Sequence, residues 1–221
     1  MDSVDQLDGV LPVNQARSRN ARDRLLTAGE RVFAKVGYDA AHVSDIALAA
    51  NCSVGSFYRR FRDKEAFFKA LHHRFTERNL DNAARFFAMP EWQEQPTAIM
   101  LRTLIENTAH IMKRNQGFFR ALFQRSLAGA GADYWPSMRA GTGRQGQLLA
   151  EFLAARGEGS HENLAEACTF ALRSVDGALV HRLLNDGPYA DETFVLDSLT
   201  HMALAFLGVE SHLTAKPAKR K

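Results

Sequence analysis

The stretch Val43–Lys64, VSDIALAANCSVGSFYRRFRDK, constrains the fold more than any other part of the chain. Val43, Ile46, Ala47 and Ala50 fall at helical spacing and give one apolar stripe. Asn51 stands where a left-handed residue would end that helix, because asparagine tolerates positive φ best after glycine. Cys52 is a small hydrophobe that can tuck under the turn. Ser53 is a good N-cap for a second helix over Val54 to Phe61. Phe57 and Phe61 point inward at i, i+4, and Ser56, Tyr58, Arg59 and Arg60 are expected to face largely outward. Two short helices with so tight a connection form a helix-turn-helix, whose second helix enters a DNA major groove. Gly55, poor for helix stability, fits a backbone that must lie close to something bulky such as a phosphate.

The run GYDAAHVSDIALAANCSVGSFYRRFRDKEAFFKAL carries a resemblance as well. Gly37-Tyr38, Val43, Ile46-Ala47, Ala50, Ser53, Gly55, Phe57-Tyr58, Phe61 and Lys64-Glu65 match, in order and spacing, the DNA-binding domain of the TetR family of bacterial transcriptional regulators. The resemblance covers about residues 21 to 71 and departs mildly at His42, Asn51, Cys52 and Val54. It implies that Lys64 binds DNA phosphate, and Tyr58 is assigned to phosphate beside it. Ser56 and Arg59 are expected at base edges or the adjacent backbone, with Val54 offering an apolar contact such as to a thymine methyl. Ser44, Ser53 and Gly55 complete the expected DNA-side set.

The net charge of +3 hides an asymmetry. Residues 14–64 hold ten Lys/Arg against five Asp/Glu, whereas residues 65–213 hold fourteen against seventeen. The first thirteen residues contribute −3 and the last eight +4. A basic segment that coincides with a helix-turn-helix is the electrostatic footprint of a phosphate-binding face. Hydrophobic content of 46% with 24% charged residues is globular, neither disordered nor membrane-like. The acidic N-terminus reads as lacking a signal peptide, no apolar run approaches a membrane span, and the chain is expected in the cytoplasm. Cys52 and Cys168 argue against a disulfide scaffold and read as buried reduced thiols; a redox sensor would need an exposed, electropositive thiol.

In chain order, Met1–Val13 reads as a flexible arm. A first helix begins between Asn14 and Ala21 and ends at Val36, with Leu25, Leu26, Gly29, Val32, Phe33 and Val36 inward and Gly37 as its stop. Arg17, Arg19, Arg22 and Arg24 crowd the end where the helix dipole disfavours cations; a nearby phosphate backbone or a solvated, frayed end both account for them. Asp63 caps a long helix running to Met89, where PEWQEQP breaks it. Helices are then expected from Pro96 to about Asn115, Gln116 to Ala128 (Leu127 inward) and Asp133 to Ala155. One capped by Ser160 and one capped by Asp191 follow. AKPAKRK reads as a flexible basic tail. With no alternating apolar–polar run, the fold is all-α: a helix-turn-helix domain over 14–63 joined by a long helix to a helical domain over 64–213, with 214–221 as the tail.

Gly141-Thr-Gly143-Arg-Gln-Gly146 satisfies the dinucleotide pattern G-x-G-x-x-G, but that motif works only between a strand and a helix, and no strand precedes it. These glycines read instead as a weak helix segment that admits a close neighbour or flexes. No HExxH, zinc-spaced Cys/His cluster or G-x-S-x-G elbow is present, so neither an enzyme nor a metal or cofactor is expected. The aromatic-rich region 86–135 is core packing or ligand contact. The resemblance implies an effector pocket enclosed by the fourth to eighth helices, for which Phe86, Trp92, Met100, Leu104, Phe119, Leu122, Trp135 and Phe170 are the candidates. Leu172, Leu179, Leu183, Phe194, Leu199, Met202 and Phe206, on the last two helices, are expected to form a homodimer interface. The reading is a ligand-responsive homodimeric repressor on a palindromic DNA operator. An activator or ligand-independent regulator, or a helical protein-interaction module with a vestigial helix-turn-helix, are the alternatives.

Overall fold

The computed structural model describes residues 3–11, 16–185 and 191–210. The basic tail expected over 214–221 lies outside them. Among the described residues the structure is all-α, as expected. Nine α-helices follow in order: α1 Ala16–Val36, α2 Val43–Ala49, α3 Val54–Tyr58, α4 Lys64–Phe87, α5 Thr97–Arg114, α6 Gln116–Arg125, α7 Gly131–Ala155, α8 Leu164–Leu184 and α9 Glu192–Leu207. A wide helical turn, Ser126–Ala130, joins α6 to α7, and Gly129 takes φ 111° inside it. Only glycine adopts that angle without strain, so the helix direction breaks there.

The chain divides into two compact units. The first comprises the described residues up to Leu80 together with Ile111–Gly141, and the second comprises Asp81–His110 together with those from Thr142 onward. This differs from a boundary at residue 63, and the reason is α6. Gly117 lies so close to the end of α1 that a Cβ there would stand 2.2 Å from the Phe33 carbonyl oxygen and 2.6 Å from that of Ala34. With no side chain in the way, α6 docks on α1, and Phe118 adds its ring to Phe68 and Phe75 of α4.

The core of the first unit is aromatic. Phe33, Phe57, Phe61, Phe67 and Phe68 are all fully buried. Phe67 holds Phe57 and Phe61 at ring-centroid distances of 5.0 and 4.8 Å. Tilted and edge-on rings at such spacing add about 0.5–1.5 kcal/mol per pair beyond the area they bury. Around this core Glu30 of α1 accepts from Arg74 and Arg78 of α4 at 2.9 and 3.1 Å. Val36, expected inward, is 45% exposed, because the helical stripe has rotated off the core by the last turn.

The arm was expected to be flexible, yet residues 4–11 of it are anchored at several points. Val4 and Val10 are buried, and Val10 pairs with Phe61 in an isolated antiparallel bridge. The Leu11 N–H donates to the Arg60 carbonyl and the Arg62 N–H to that of Gly9, both at 2.8 Å.

The second unit contains Trp92, whose buried indole N–H donates to the Phe86 carbonyl at 2.6 Å. α8 is capped by Asn163, which accepts from the Glu166 N–H at 3.3 Å, rather than by Ser160. Ser160 instead donates its own N–H to the Leu207 carbonyl. The G-x-G-x-x-G run falls inside α7, with no strand before it among the described residues. A Cβ on Gly146 would meet the Thr169 hydroxyl at 2.1 Å, so that glycine admits α8. Leu127, expected inward, is 78% exposed in the wide turn, where the helical face is lost.

Candidate nucleic-acid interface

The turn between α2 and α3 is built as its sequence demands. Asn51 takes φ 50°, the one non-glycine residue with positive φ among the described residues. The Cys52 N–H then donates to Ala47 O at 2.9 Å. Ser53 takes an extended backbone and its hydroxyl accepts from the Ser56 N–H at 3.1 Å, closing the N-cap of α3. His42, at the N-cap of α2, makes no such bond.

α3 is short, and its two faces differ sharply. Phe57 is fully buried against Phe61 and Phe67. Val54, Gly55, Tyr58 and Arg59 are exposed, as is Ser53 before them and Ser44 on α2. Ser56 and Arg60 are not on that face. Ser56 is 9% exposed and Arg60 7%. The Arg60 guanidinium donates from Nη1 to the Ser56 carbonyl at 2.6 Å and to its hydroxyl at 2.8 Å. It also donates from Nε and Nη2 to the Ser18 carbonyl and hydroxyl at 3.1 and 3.0 Å. Burial, and then the neighbouring Arg59, lower its pKa. Arg60 therefore fastens α3 to the start of α1. This corrects the outward placement of Ser56, whose hydroxyl is spent on Arg60. A basic residue four positions after a serine was the only sequence signal for the contact.

The start of α4 is equally determined. Asp63 Oδ1 accepts from the Ala66 N–H at 2.7 Å, and that bond, first among the causes, holds its carboxyl below the usual range. The Lys64 ammonium donates to the Tyr38 and Ala41 carbonyls at 2.9 and 3.1 Å and stands 4.3 Å from the Tyr38 ring centre. It ties α4 to the α1–α2 connection, and three N–H donors leave one for a phosphate. Beside it, Glu65 gathers the Tyr134 hydroxyl at 2.7 Å, the Tyr38 hydroxyl at 3.1 Å and the Arg125 guanidinium. Burial and the Glu65 carboxylate push the Tyr38 phenol up to about 12.

The arginines at the start of α1 diverge. Arg22 is 1% exposed and paired with Asp5 of the arm, so it offers nothing to a phosphate. Arg19 and Arg24 stay exposed, and Arg24 reaches the Cys52 sulfur at 3.5 Å.

The other candidates are spread through the two units. In the second, Trp92 and Met100 are buried, Phe86 lies at 5.0 Å from Trp92, Leu104 is half-buried and Phe170 is 59% exposed. In the first, Phe119 and Leu122 are buried and Trp135 lies half-buried against Phe123. Phe170 instead packs on Phe206 at 5.3 Å, on the outer side of α8 and α9. Leu172, Leu179 and Leu199, expected at an interface, are buried within their own unit. Their burial leaves Phe194, Met202 and Phe206 as the exposed apolar surface, with Leu183 half-buried. Among the described residues no helix is long and apolar enough to cross a membrane.

Residues 25–71 match the family model described as "Bacterial regulatory proteins, tetR family". The HTH-type transcriptional repressor Rv1474c of Mycobacterium tuberculosis is 41% identical over 64 residues, which are 29% of this chain and 34% of that protein. The chain thus spans about a third of the length of the curated relatives it matches. Among solved structures, a tetR-family transcriptional regulator from Streptomyces coelicolor superposes with a TM-score of 0.68 at 17% identity, over 85% of this chain and 80% of that one. The transcriptional regulator FadR from Bacillus subtilis, solved with stearoyl-CoA, superposes with a TM-score of 0.60 at 18% identity, over 86% of this chain and 99% of that one. Likeness at such identity is a likeness of fold.

Proposed function

We propose that this chain, whose residues 25–71 match the model of the tetR family of bacterial regulatory proteins, is a cytoplasmic repressor that binds a palindromic operator as a homodimer and is released by a small molecule. The observation that carries the reading is α3. Its outer face, Val54, Gly55, Tyr58 and Arg59, is free, while Phe57 and the buried Arg60 fix its pose from behind. Val54, 42% exposed, offers an apolar contact to a thymine methyl, and Arg59 a guanidinium to a guanine edge or a phosphate. Tyr58 and the remaining donor of Lys64 take phosphates on either side, and bare Gly55 lets the backbone approach closely.

One such helix reads only a few base pairs, so operator specificity requires two copies, with half-sites about 34–36 Å apart or multiples of one turn. Phe170, Phe194, Met202 and Phe206 expose large apolar side chains on α8 and α9, the surface a second copy would cover. The effector binds among side chains of the helical second unit, with Phe86, Trp92, Met100 and Leu104 the candidates there. Neighbours of the same fold are solved with chemically unlike ligands, resorcinol and stearoyl-CoA, so the apolar candidates here support only a ligand with an apolar part. Release requires the effector to prefer the DNA-free state by about 1.4 kcal/mol for each tenfold loss of DNA affinity.

The experiment is fluorescence anisotropy of a labelled duplex taken from upstream of the chain's own coding sequence. Saturable binding at protein concentrations where a scrambled duplex stays free is expected. Equal binding to both sequences would contradict operator recognition.

A further inference from the structure

The packed arm brings acidic groups onto the basic domain, and one of these contacts differs in kind from the rest. Val4, Val10 and the Asp5–Arg22 pair are buried and anchor the arm. Gly9, at φ +79°, presses on the first turn of α4, where a Cβ would stand 2.7 Å from that of Ala66. Between these anchors Asp8 is left in the open, its side chain 78% exposed. Its two oxygens accept from Nη1 and Nη2 of Arg62 at 3.2 and 3.1 Å, the two-pronged geometry in which a guanidinium takes a phosphate. The Arg62 side chain is 57% exposed, and its Nε–H donates to Asp63 at 3.0 Å. It stands on the connection between the recognition helix and Lys64, following the exposed Arg59 and the tethered Arg60 in sequence.

Exposed ion pairs of this kind add little stability, so the pair exchanges readily once a stronger anion arrives. The anchors, not the pair, keep Asp8 in place. We propose that Arg62 is an additional DNA-phosphate-binding residue and that Asp8 is its internal stand-in for the phosphate, competing with DNA and lowering affinity independently of sequence. The inference rests on the DNA-binding reading above and adds to it a contact and a built-in brake. In the free protein Asp8 fills the fork. On DNA a phosphate oxygen pair replaces it, and the displaced carboxylate stays nearby as a standing repulsion.

The test uses the full chain and a fluorescein-labelled 24-base-pair duplex of random sequence, titrated by anisotropy over a series of NaCl concentrations. Asp8→Asn should tighten binding about fivefold near 0.1 M salt; Arg62 holds a phosphate in both proteins, so the plot of log K against log salt should keep its slope. Placing Arg62→Gln in the Asp8→Asn background should reverse the gain and flatten the slope by about 0.9. Neither change touches a buried group, and matching circular dichroism melts establish that all variants are folded. If Asp8→Asn leaves affinity as it was, or if Arg62→Gln changes nothing in the Asp8→Asn background, the inference is overturned. A wild-type chain that fails to bind the duplex at any salt concentration sinks the DNA-binding reading instead, so the two failures are distinct.

Discussion

Replacing Glu65 by alanine removes one carboxylate and strands three partners. The Tyr134 and Tyr38 hydroxyls lose an acceptor at 2.7 and 3.1 Å, and Arg125, stacked 4.0 Å over the Tyr38 ring, loses its counter-charge. Hydrogen bonds to a charged group contribute about 1.5–3 kcal/mol each, partly recovered when water reaches the orphaned partners. Breaking a fully buried ion pair costs about 3–5 kcal/mol. The Glu65 and Arg125 side chains are 27% and 28% exposed, so solvent screening puts the loss below that range. About 2–3 kcal/mol is therefore expected. For a chain of this length that corresponds to a drop of roughly 5–10 °C in the melting temperature of the first unit. Glu65→Gln keeps the shape and one acceptor and should fall between alanine and wild type. The Tyr38 phenol, pushed up to about 12 from 10.0 by burial and by Glu65, is neutral in both states at neutral pH. Its folded-state pKa is the higher one, so its contribution is complete below pH 10 and lost as pH rises towards 12. The alanine deficit should thus be constant from pH 6 to pH 9. Thermal melts followed by circular dichroism read it; a shift under about 1 °C would refute the network's role.

Gly117→Ala forces a methyl onto the Phe33 and Ala34 carbonyls, which are backbone and cannot turn aside, and should destabilise by about 1–3 kcal/mol in urea unfolding. His72 is 4% exposed, and burial lowers its pKa to about 4. The unfolded state, with pKa 6.5, binds the proton first, so stability present above pH 6.5 is lost as pH falls towards 4. His72→Phe should remove on the order of 2–3 kcal/mol of that acid loss, read by comparing melts at pH 7 and pH 4.5. Met202→Glu, at an exposed position, should give a folded monomer in sedimentation velocity that binds the full operator much more weakly than wild type; unchanged dimers would move the interface elsewhere.

The local parts of the reading head were legible because each rests on residues a few positions apart. The positive φ of Asn51, the Ser53 cap, the Asp63 cap and the stop at Gly37 all follow from side-chain chemistry at one turn. What escaped was long-range. The arm is held by the Asp5–Arg22 pair, 17 residues apart, and by backbone bonds of Gly9 and Leu11 to Arg62 and Arg60, and the Glu65 node by partners 27, 60 and 69 residues away. No periodicity encodes such partners. Ser56 was misplaced because a helix of five residues has too few turns for its stripe to fix orientation, and the Arg60 side chain folds back over it. Leu172, Leu179 and Leu199 were expected at the dimer interface from their helical spacing, although their own unit buries them. The effector stayed unreadable because aromatic side chains at helical spacing serve a core and a cavity equally well.

The reading stands or falls on whether the exposed face of α3 reads bases. Purified protein should be carried through rounds of selection on a randomised duplex library, in parallel with Val54→Ser. The wild type is expected to enrich a two-fold-symmetric motif whose half-site centres lie about 34–36 Å apart, or a multiple of one turn. The variant should lose preference at one defined position in each half while keeping the rest. A library that emerges unenriched, or a variant that returns the wild-type motif at every position, would contradict it.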